Sequence, residues 1–205
     1  MSAKEKIKYY TETLSREIRP DLIYAVGLIN NKKTAIDCGC GAGADIEYLR
    51  KNEFTVFAFD IESEAIKICS DRFKDDDQVV LSQDSFLSYE YPDSSLVVAD
   101  ASLFFCPEKD FKSAWEKIYN SLKEGGIFCG SFLGPNDTMA STDYDREAYW
   151  PDVLVFQESE LRLIFEKFEI LKLTEHNISG HASDGQPHQW HIFSVVAKKI
   201  QKYRI

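Results

Sequence analysis

The residues best suited to chemistry are a carboxylate and three closely spaced glycines, in the stretch from Asp37 to Gly43. Glycine permits backbone conformations that other residues avoid, and it leaves no side chain to hold a ligand away from the peptide groups. A short apolar run ends at Ile36 before the stretch, and an amphipathic segment begins near Asp45 after it. The pattern predicts a strand-to-helix turn that binds a nucleotide-like ligand.

One candidate ligand is a dinucleotide. Gly39, Gly41 and Ala44 match the pattern G-x-G-x-x-G/A, and Asp60 follows at about the distance of the acidic residue that binds a ribose. A nearby carboxylate would repel an anionic pyrophosphate. Asp37, two residues before the first glycine, therefore counts against a dinucleotide, although that alternative stays open.

The other candidate ligand is S-adenosylmethionine. With Asp37 and the third glycine at Gly43, the stretch takes the form D-x-G-x-G-x-G, which resembles motif I of the class I methyltransferases that use this cofactor. S-adenosylmethionine has no phosphate and carries an ammonium and a sulfonium, both of which a carboxylate attracts. The turn therefore favours S-adenosylmethionine.

The elements around the turn alternate between short apolar runs and amphipathic segments. This alternation is typical of a parallel sheet covered by helices on both faces. We predict amphipathic helices after strands one, two and four, and we predict that Gly125-Gly126 ends the helix that comes after strand four. The predicted strands span residues 34–38, 55–59, 78–82, 96–99 and 127–133.

Two further extended runs, at residues 169–176 and 190–197, have no helix between them. Strands joined directly by a loop must be antiparallel neighbours or leave the sheet. A mostly parallel sheet completed by one antiparallel hairpin is the arrangement of the class I methyltransferases, whereas a dinucleotide domain adds a parallel strand. The last amphipathic helix precedes the hairpin and aligns Leu161, Ile164, Phe165 and Phe168.

The chain has 205 residues, 44% of them hydrophobic, which suits a single domain with a substantial core. Helices are predicted at residues 4–17 and 21–29, before the first strand. The polar stretch 134–150 is too long for a plain connector, and loops of that length are usually lids or disordered. We divide the domain into an N-terminal helical cap (1–30), a cofactor-binding core (34–133), a lid-like loop (134–156) and a C-terminal helix with a hairpin (157–205).

The overall charge and the cysteines restrict the environment and the partners. A formal charge of -10 and a pI near 4.9 argue against nucleic acid as a partner, because nucleic-acid binding depends on basic contacts. No apolar run is long enough to cross a bilayer, and the polar residues 1–6 lack the apolar core of a signal peptide. Five cysteines, an odd number, favour free thiols in a reducing compartment. We therefore predict a cytoplasmic protein without a membrane partner, as a monomer or a homodimer.

Over nearly its full length the chain resembles a class I S-adenosylmethionine-dependent methyltransferase. The resemblance implies an α/β, Rossmann-like fold with a mostly parallel seven-stranded sheet and S-adenosylmethionine as the cofactor. Within that superfamily, residues 102–107, the Gly125-Gly126 turn and residues 189–199 are similar to the bacterial tellurite-resistance methyltransferases.

The resemblance also implies roles for individual residues. The methionine part of the cofactor would lie on the glycine turn, the ribose on Asp60, the adenine beside the residues after strands two and three, and the reactive methyl group at the end of strand four. The cofactor-binding residues would be Asp37, Gly39, Cys40, Gly41 and Gly43 for methionine, Asp60 and Ile61 for ribose and adenine, Asp84, Ser85 and Phe86 for adenine, and Asp100 and Ala101 for the methyl group.

The residues after strand four predict the acceptor. Methyltransferases of nucleobase or amide amines commonly carry (N/D)-P-P-(Y/F) there, whereas residues 100–103 read Asp-Ala-Ser-Leu. No His or Lys comes directly after that strand, and no catalytic base is identified. We predict a small-molecule acceptor with a soft nucleophile (S, Se or Te) or an ionised oxygen. Candidate acceptor-binding residues are Tyr10, Arg19, Ser102, Phe105, Trp150, His188 and His191.

The sequence is compatible with other functions as well. Cys38 and Cys40 flank Gly39, but two cysteines supply only part of a tetrahedral site, so we predict no metal. Because the cofactor pattern has no accompanying base, a protein that binds S-adenosylmethionine without catalysis, as a sensor or partner subunit, is the main alternative to an enzyme. A dinucleotide oxidoreductase is the third possibility.

Overall fold

The computed structural model describes residues 10–11, 13–14, 16–30, 32–145, 151–182 and 185–200. Its helices are α1 (Pro20–Gly27), α2 (Ala44–Lys51), α3 (Ser63–Arg72), α4 (Glu108–Ser121) and α5 (Glu158–Ile164). Its strands are β1 (Thr34–Cys38), β2 (Thr55–Asp60), β3 (Val79–Gln83), β4 (Ser94–Ala99), β5 (Leu122–Leu133), β6 (Phe168–His181) and β7 (Pro187–Lys199). Single 3-10 turns lie at Leu103–Phe105 and Thr138–Ala140.

The seven strands form one sheet in the order β3-β2-β1-β4-β5-β7-β6. Strands β1 to β5 pair in parallel, and β7 is antiparallel to both β5 and β6. This topology confirms the predicted class I methyltransferase fold. The chain reverses its direction of progress across the sheet between β1 and β4, and open α/β sheets bind their ligands at the carboxyl ends of the strands beside such a switch point.

Apolar clusters cover both faces of the sheet. The larger cluster is rich in aromatic rings, including Trp115 of α4, which meets Phe165 edge-on at 5.0 Å between ring centroids. The second cluster joins α1 and α2 to the sheet through buried Leu22, Ile46 and Leu49. Burial on both faces explains why the strands read as nearly continuous apolar runs.

Several boundaries differ from the sequence prediction. Helix α4 ends at Ser121, so Gly125-Gly126 does not end it but lies inside β5. The reason is that Leu122 is buried and pairs with Ser94 of β4, which begins the strand before the glycines. Phe168 starts β6 instead of extending α5. The terminal hairpin is also longer at both ends than predicted, because the two strands pair with each other beyond the edge of β5.

Of the two helices predicted before the first strand, the structure describes the second in full and the first only in part. Helix α1 agrees with the second predicted helix. Of the first, Tyr10, Thr11 and Thr13 are helical, while residues 1–9 lie outside the described part of the chain.

Candidate active site

The glycine turn lies against the carboxyl ends of three strands. The backbone amides of Gly39 and Cys40 donate to the Phe59 carbonyl of β2, at 2.8 and 3.0 Å. Gly39 has a φ of 75°, and a Cβ at this position would lie 2.5 Å from the Cβ of Ser102. Ser102 itself donates its hydroxyl to the Cys38 carbonyl at 2.7 Å. Only glycine fits here, and Ser102, a predicted acceptor residue, supports the turn.

Asp60 joins the turn to the start of α3. Its Oδ2 accepts the Gly41 amide and its Oδ1 accepts the Glu62 amide, both at 2.9 Å. Each oxygen keeps a lone pair, so both remain able to accept a ribose hydroxyl. Ile61 beside it is 60% exposed, an unusual exposure that an adenine ring would cover.

The residues after β3 form a compact polar turn. The hydroxyls of Ser82 and Ser88 donate to the two carboxylate oxygens of Asp84. Ser85 contributes its hydroxyl to the same turn, at 3.0 Å from that of Ser88. Phe86 meets Phe59 edge-on at 5.5 Å and belongs partly to the core. The amide of Asp84 donates to the Asp60 carbonyl at 3.1 Å, so the structure brings the predicted ribose and adenine residues together.

Asp37 is the most deeply buried carboxylate of the site, with 3% of its surface exposed. Its Oδ2 has no hydrogen-bond partner among the described residues. Burial raises the pKa of the Asp37 carboxyl well above its usual range, and the nearby Asp45 carboxylate raises it further. A buried carboxylate with an unused acceptor suits a cationic group such as the ammonium of S-adenosylmethionine.

Two arginines from the segment before α1 reach over the turn. Arg16 binds Asp45 at 2.8 Å and Asp100 at 3.2 Å. Arg19 lies 3.2 Å from Asp45 and 2.9 Å from Asp100, the latter an ion pair without hydrogen-bond alignment. Burial lowers the pKa of each guanidinium, but the carboxylates of Asp45 and Asp100 outweigh burial and raise it. We call Arg16, Arg19, Asp37, Asp45 and Asp100 the charge cluster.

Sequence reasoning missed Asp45 as a site residue, and it considered Arg16 for substrate contact without including it among the candidate site residues. Asp45 lies in the first turn of α2, where an acidic residue is ordinarily explained by the helix dipole. The available signal was its place two residues after the third glycine, Gly43.

The end of β4 carries a second backbone constraint. Ala101 has a φ of 46°, a left-handed conformation that is uncommon for residues with a Cβ. Its amide donates to the Ser131 hydroxyl of β5 at 2.8 Å, which holds it there. Such strain is typical of functional sites, and this one lies beside Asp100, where the reactive methyl group was predicted.

The remaining candidate acceptor residues occupy different surroundings. Tyr10 is buried and packs with Ala42 and Ala65 beside the glycine turn. Phe105 is half-buried against Phe104, with ring centroids 4.6 Å apart. Trp150 lies outside the described residues.

His191 is bound on both sides of its ring. Its Nδ1 accepts the Asn136 amide at 3.0 Å, so Nε2 carries the proton and donates to Glu175 at 2.8 Å. The side chain is almost fully buried, and its backbone amide donates to Asp137 at 2.9 Å. His188 places Nε2 3.3 Å from the other oxygen of Asp137. Both histidines thus attach β7 to the start of the lid-like loop.

The cysteines do not form a metal-ligand pair at the turn. Cys38 belongs to one apolar cluster and Cys40 to the other, on opposite faces of the sheet. Cys40 instead lies beside Cys69 of α3, and all five cysteines are buried and free.

Among the described residues, no helix combines the length and the apolar character needed to cross a membrane.

Comparisons with known proteins bear on this site. Residues 35–126, which contain the glycine turn, Asp60 and the β4 end, match a family described as "Methyltransferase domain". No curated protein matches the sequence.

Several solved structures are similar over most of the chain. TehB from Haemophilus influenzae is 17% identical, with 95% of this chain and 67% of TehB covered and a TM-score of 0.73. The N-methyltransferase NodS from Bradyrhizobium japonicum, bound to S-adenosylhomocysteine, is 14% identical, with 96% and 99% covered and a TM-score of 0.67. A Burkholderia thailandensis 1,6-didemethyltoxoflavin-N1-methyltransferase is 16% identical, with 97% and 87% covered and a TM-score of 0.69.

At these identities the structural likeness shows the fold, and the family match adds the activity. Residues 35–126 thus match a methyltransferase family within a class I fold, and the predictions of an S-adenosylmethionine-dependent methyltransferase and of its cofactor are confirmed.

Proposed function

We propose that this methyltransferase transfers the methyl group to a small-molecule acceptor that is a soft nucleophile or is already ionised. Methyl transfer is an in-line displacement on an activated sulfonium, so a polarisable thiolate, selenide or telluride needs positioning and desolvation more than a base. We further propose that the protein acts in the cytoplasm as a monomer or homodimer, without nucleic acid as a partner.

The observation that carries this proposal is that the candidate bases His191 and Asp100 are already bound by other groups of the protein. His191 uses both ring nitrogens in hydrogen bonds to the loop and to β6. Asp100, at the predicted methyl position, has two guanidinium groups on its Oδ2. An acceptor that must lose a proton during transfer would find little help from these groups.

Each part of the site would have a separate task. When bound, S-adenosylmethionine supplies the electrophilic methyl group. Asp37 would hold the ammonium and Asp60 the ribose hydroxyls, while the rigid turn and the strained Ala101 would fix the position of the sulfonium. The half-buried Phe105 and the lid-like loop would exclude water from the acceptor.

The test is binding and then turnover. Calorimetry with S-adenosylmethionine and NAD should give binding only with the former. Turnover should then be measured on thiols, selenite, tellurite, phenols, carboxylates and amines. Amines are included because NodS and the Burkholderia enzyme are N-methyltransferases. Preference for amines or neutral hydroxyls would contradict the proposed acceptor class, and cofactor binding without any turnover would favour a sensor.

Substitution of the histidines tests the absence of a base. We expect His188→Ala and His191→Ala to lower the rate by far less than the roughly 10² to 10⁴ lost with a general base. Because His191 is buried, His191→Gln and a thermal unfolding curve should accompany it as controls for folding. A larger loss with intact cofactor binding, in an enzyme whose rate rises with pH through the histidine range, would identify a base.

The lid-like loop is expected to respond to ligands unevenly. Its first residues are already held, because Gly134 and Asn136 donate their amides to His191, and Thr138 accepts the Gln189 amide at 2.8 Å. We therefore expect hydrogen exchange to slow mainly after residue 140 when S-adenosylhomocysteine and an acceptor are both present. Exchange after residue 140 that responds to neither ligand would exclude a lid.

A further inference from the structure

Four buried polar atoms of the charge cluster have no hydrogen-bond partner among the described residues. Arg19 Nε is one of them, but it forms an ion pair with Asp100. The other three, Asp37 Oδ2, Asp45 Oδ1 and Arg19 Nη1, have neither a hydrogen bond nor an ion pair with a described residue. An unsatisfied buried charged group is strongly unfavourable, and native structures rarely keep one without a reason. Here three such atoms lie within the charge cluster.

The three atoms match the two ends of an amino acid. Asp37 and Asp45 offer anionic acceptors, which suit an ammonium with three donors. Arg19 offers a cationic donor, which suits a carboxylate. The methionine part of S-adenosylmethionine carries both groups on one carbon.

The sum of charges agrees with this match. The cluster contains three carboxyl groups and two guanidinium groups, so with all three carboxyls ionised it carries one negative charge in excess. S-adenosylmethionine carries an ammonium, a sulfonium and a carboxylate, so its net charge of about +1 balances the cluster. S-adenosylhomocysteine lacks the sulfonium and does not.

We propose that Asp45 binds the ammonium of the cofactor together with Asp37, and that it positions Arg19 to bind the cofactor's carboxylate. This inference rests on the proposed function. It gives Arg19 a place on the cofactor, where the sequence had suggested the acceptor.

A purely structural role for Asp45 would need only one of its oxygens. Asp45 Oδ2 accepts from both Arg16 and Arg19, at 2.8 and 3.2 Å. This one oxygen is enough to link the N-terminal segment to α2. The other oxygen is equally buried and is not used by any described residue. A structural anchor does not explain that second oxygen, whereas a ligand does.

The experiment compares ligands with and without the amino-acid end. Calorimetry should measure S-adenosylmethionine, S-adenosylhomocysteine and 5′-methylthioadenosine, which lacks the amino acid, on the wild type, Asp45→Asn and Asp76→Asn. Asp76 is the matched control, since it pairs with Arg50 of α2 at 2.7 Å, outside the cluster. The loss of one charge-assisted contact should reduce affinity about 10- to 100-fold.

We expect Asp45→Asn to weaken the binding of S-adenosylmethionine and S-adenosylhomocysteine about 10- to 100-fold and to leave the binding of 5′-methylthioadenosine nearly unchanged. Asp76→Asn should change the affinity for none of the three ligands. Equal weakening of all three ligands, or unchanged affinity for all, would overturn the proposal. If the wild type fails to bind S-adenosylmethionine, the proposed function fails instead.

A second variant covers the case in which Asp45→Asn does not fold. Arg19→Gln should weaken S-adenosylmethionine about 10-fold or more, yet scarcely change the binding of its decarboxylated form. Equal effects on both forms would show that Arg19 does not contact the carboxylate and would refute the positioning role of Asp45.

Discussion

Replacing Asp60 with alanine should weaken S-adenosylmethionine binding by about 2 to 4 kcal/mol, because it removes charge-assisted hydrogen bonds to both ribose hydroxyls. The structure adds an effect on folding. The same carboxylate accepts the amides of Gly41 and Glu62, so Asp60→Ala should also reduce the free energy of unfolding by about 1 to 3 kcal/mol.

Calorimetry and denaturant unfolding would measure the two effects separately. Asp93→Ala is the control, since Asp93 is exposed and forms no more than a loose ion pair with Lys123, at 3.8 Å. Unchanged cofactor affinity in Asp60→Ala would mean that the ribose does not lie at the end of β2.

Replacing Asp37 with asparagine should produce opposite changes in binding and stability. The substitution removes the buried charge that would bind the ammonium, so cofactor affinity should fall by about 1.5 to 3 kcal/mol. The ligand-free protein should become more stable near neutral pH, since the variant no longer buries a carboxylate that burial itself destabilises. Calorimetry at neutral pH would measure the loss of cofactor affinity, and thermal unfolding at the same pH would measure the gain in stability.

The pH dependence arises from the raised pKa of Asp37. Its contribution to stability is fully present below the unfolded pKa, about 3.9, and is lost as the pH rises through the higher folded pKa. The unfolding temperatures of wild type and Asp37→Asn should therefore converge in acid and separate as the pH rises. Wild-type cofactor affinity should fall as the pH falls through the same range, because the ammonium requires the ionised carboxylate. Parallel curves for the two proteins would contradict the assignment.

Local sequence determined much of this protein. The strand-to-helix turn was predictable because left-handed backbone and close packing at Gly39 admit only glycine, and the periodicity of apolar residues reflects directly which faces are buried. The antiparallel ending was predictable because strands 168–181 and 187–199 have no crossover helix between them. The motif order from Asp37 to Asp100 reflects strands that meet at one edge of the sheet.

Only the tertiary structure decided how the charges and the histidines are used. Arg16 and Asp100 are 84 residues apart, and Asn136 and His191 are 55 apart, so no local spacing records either contact. The state of His191 depends on which group approaches each ring nitrogen, and the pairing of Asp45 depends on where the N-terminal segment crosses the turn. Ion pairs and hydrogen bonds of this kind depend on distances of a few ångströms between elements. Those distances are set by how the cap, loop and hairpin pack on the sheet, which the type and spacing of residues do not encode.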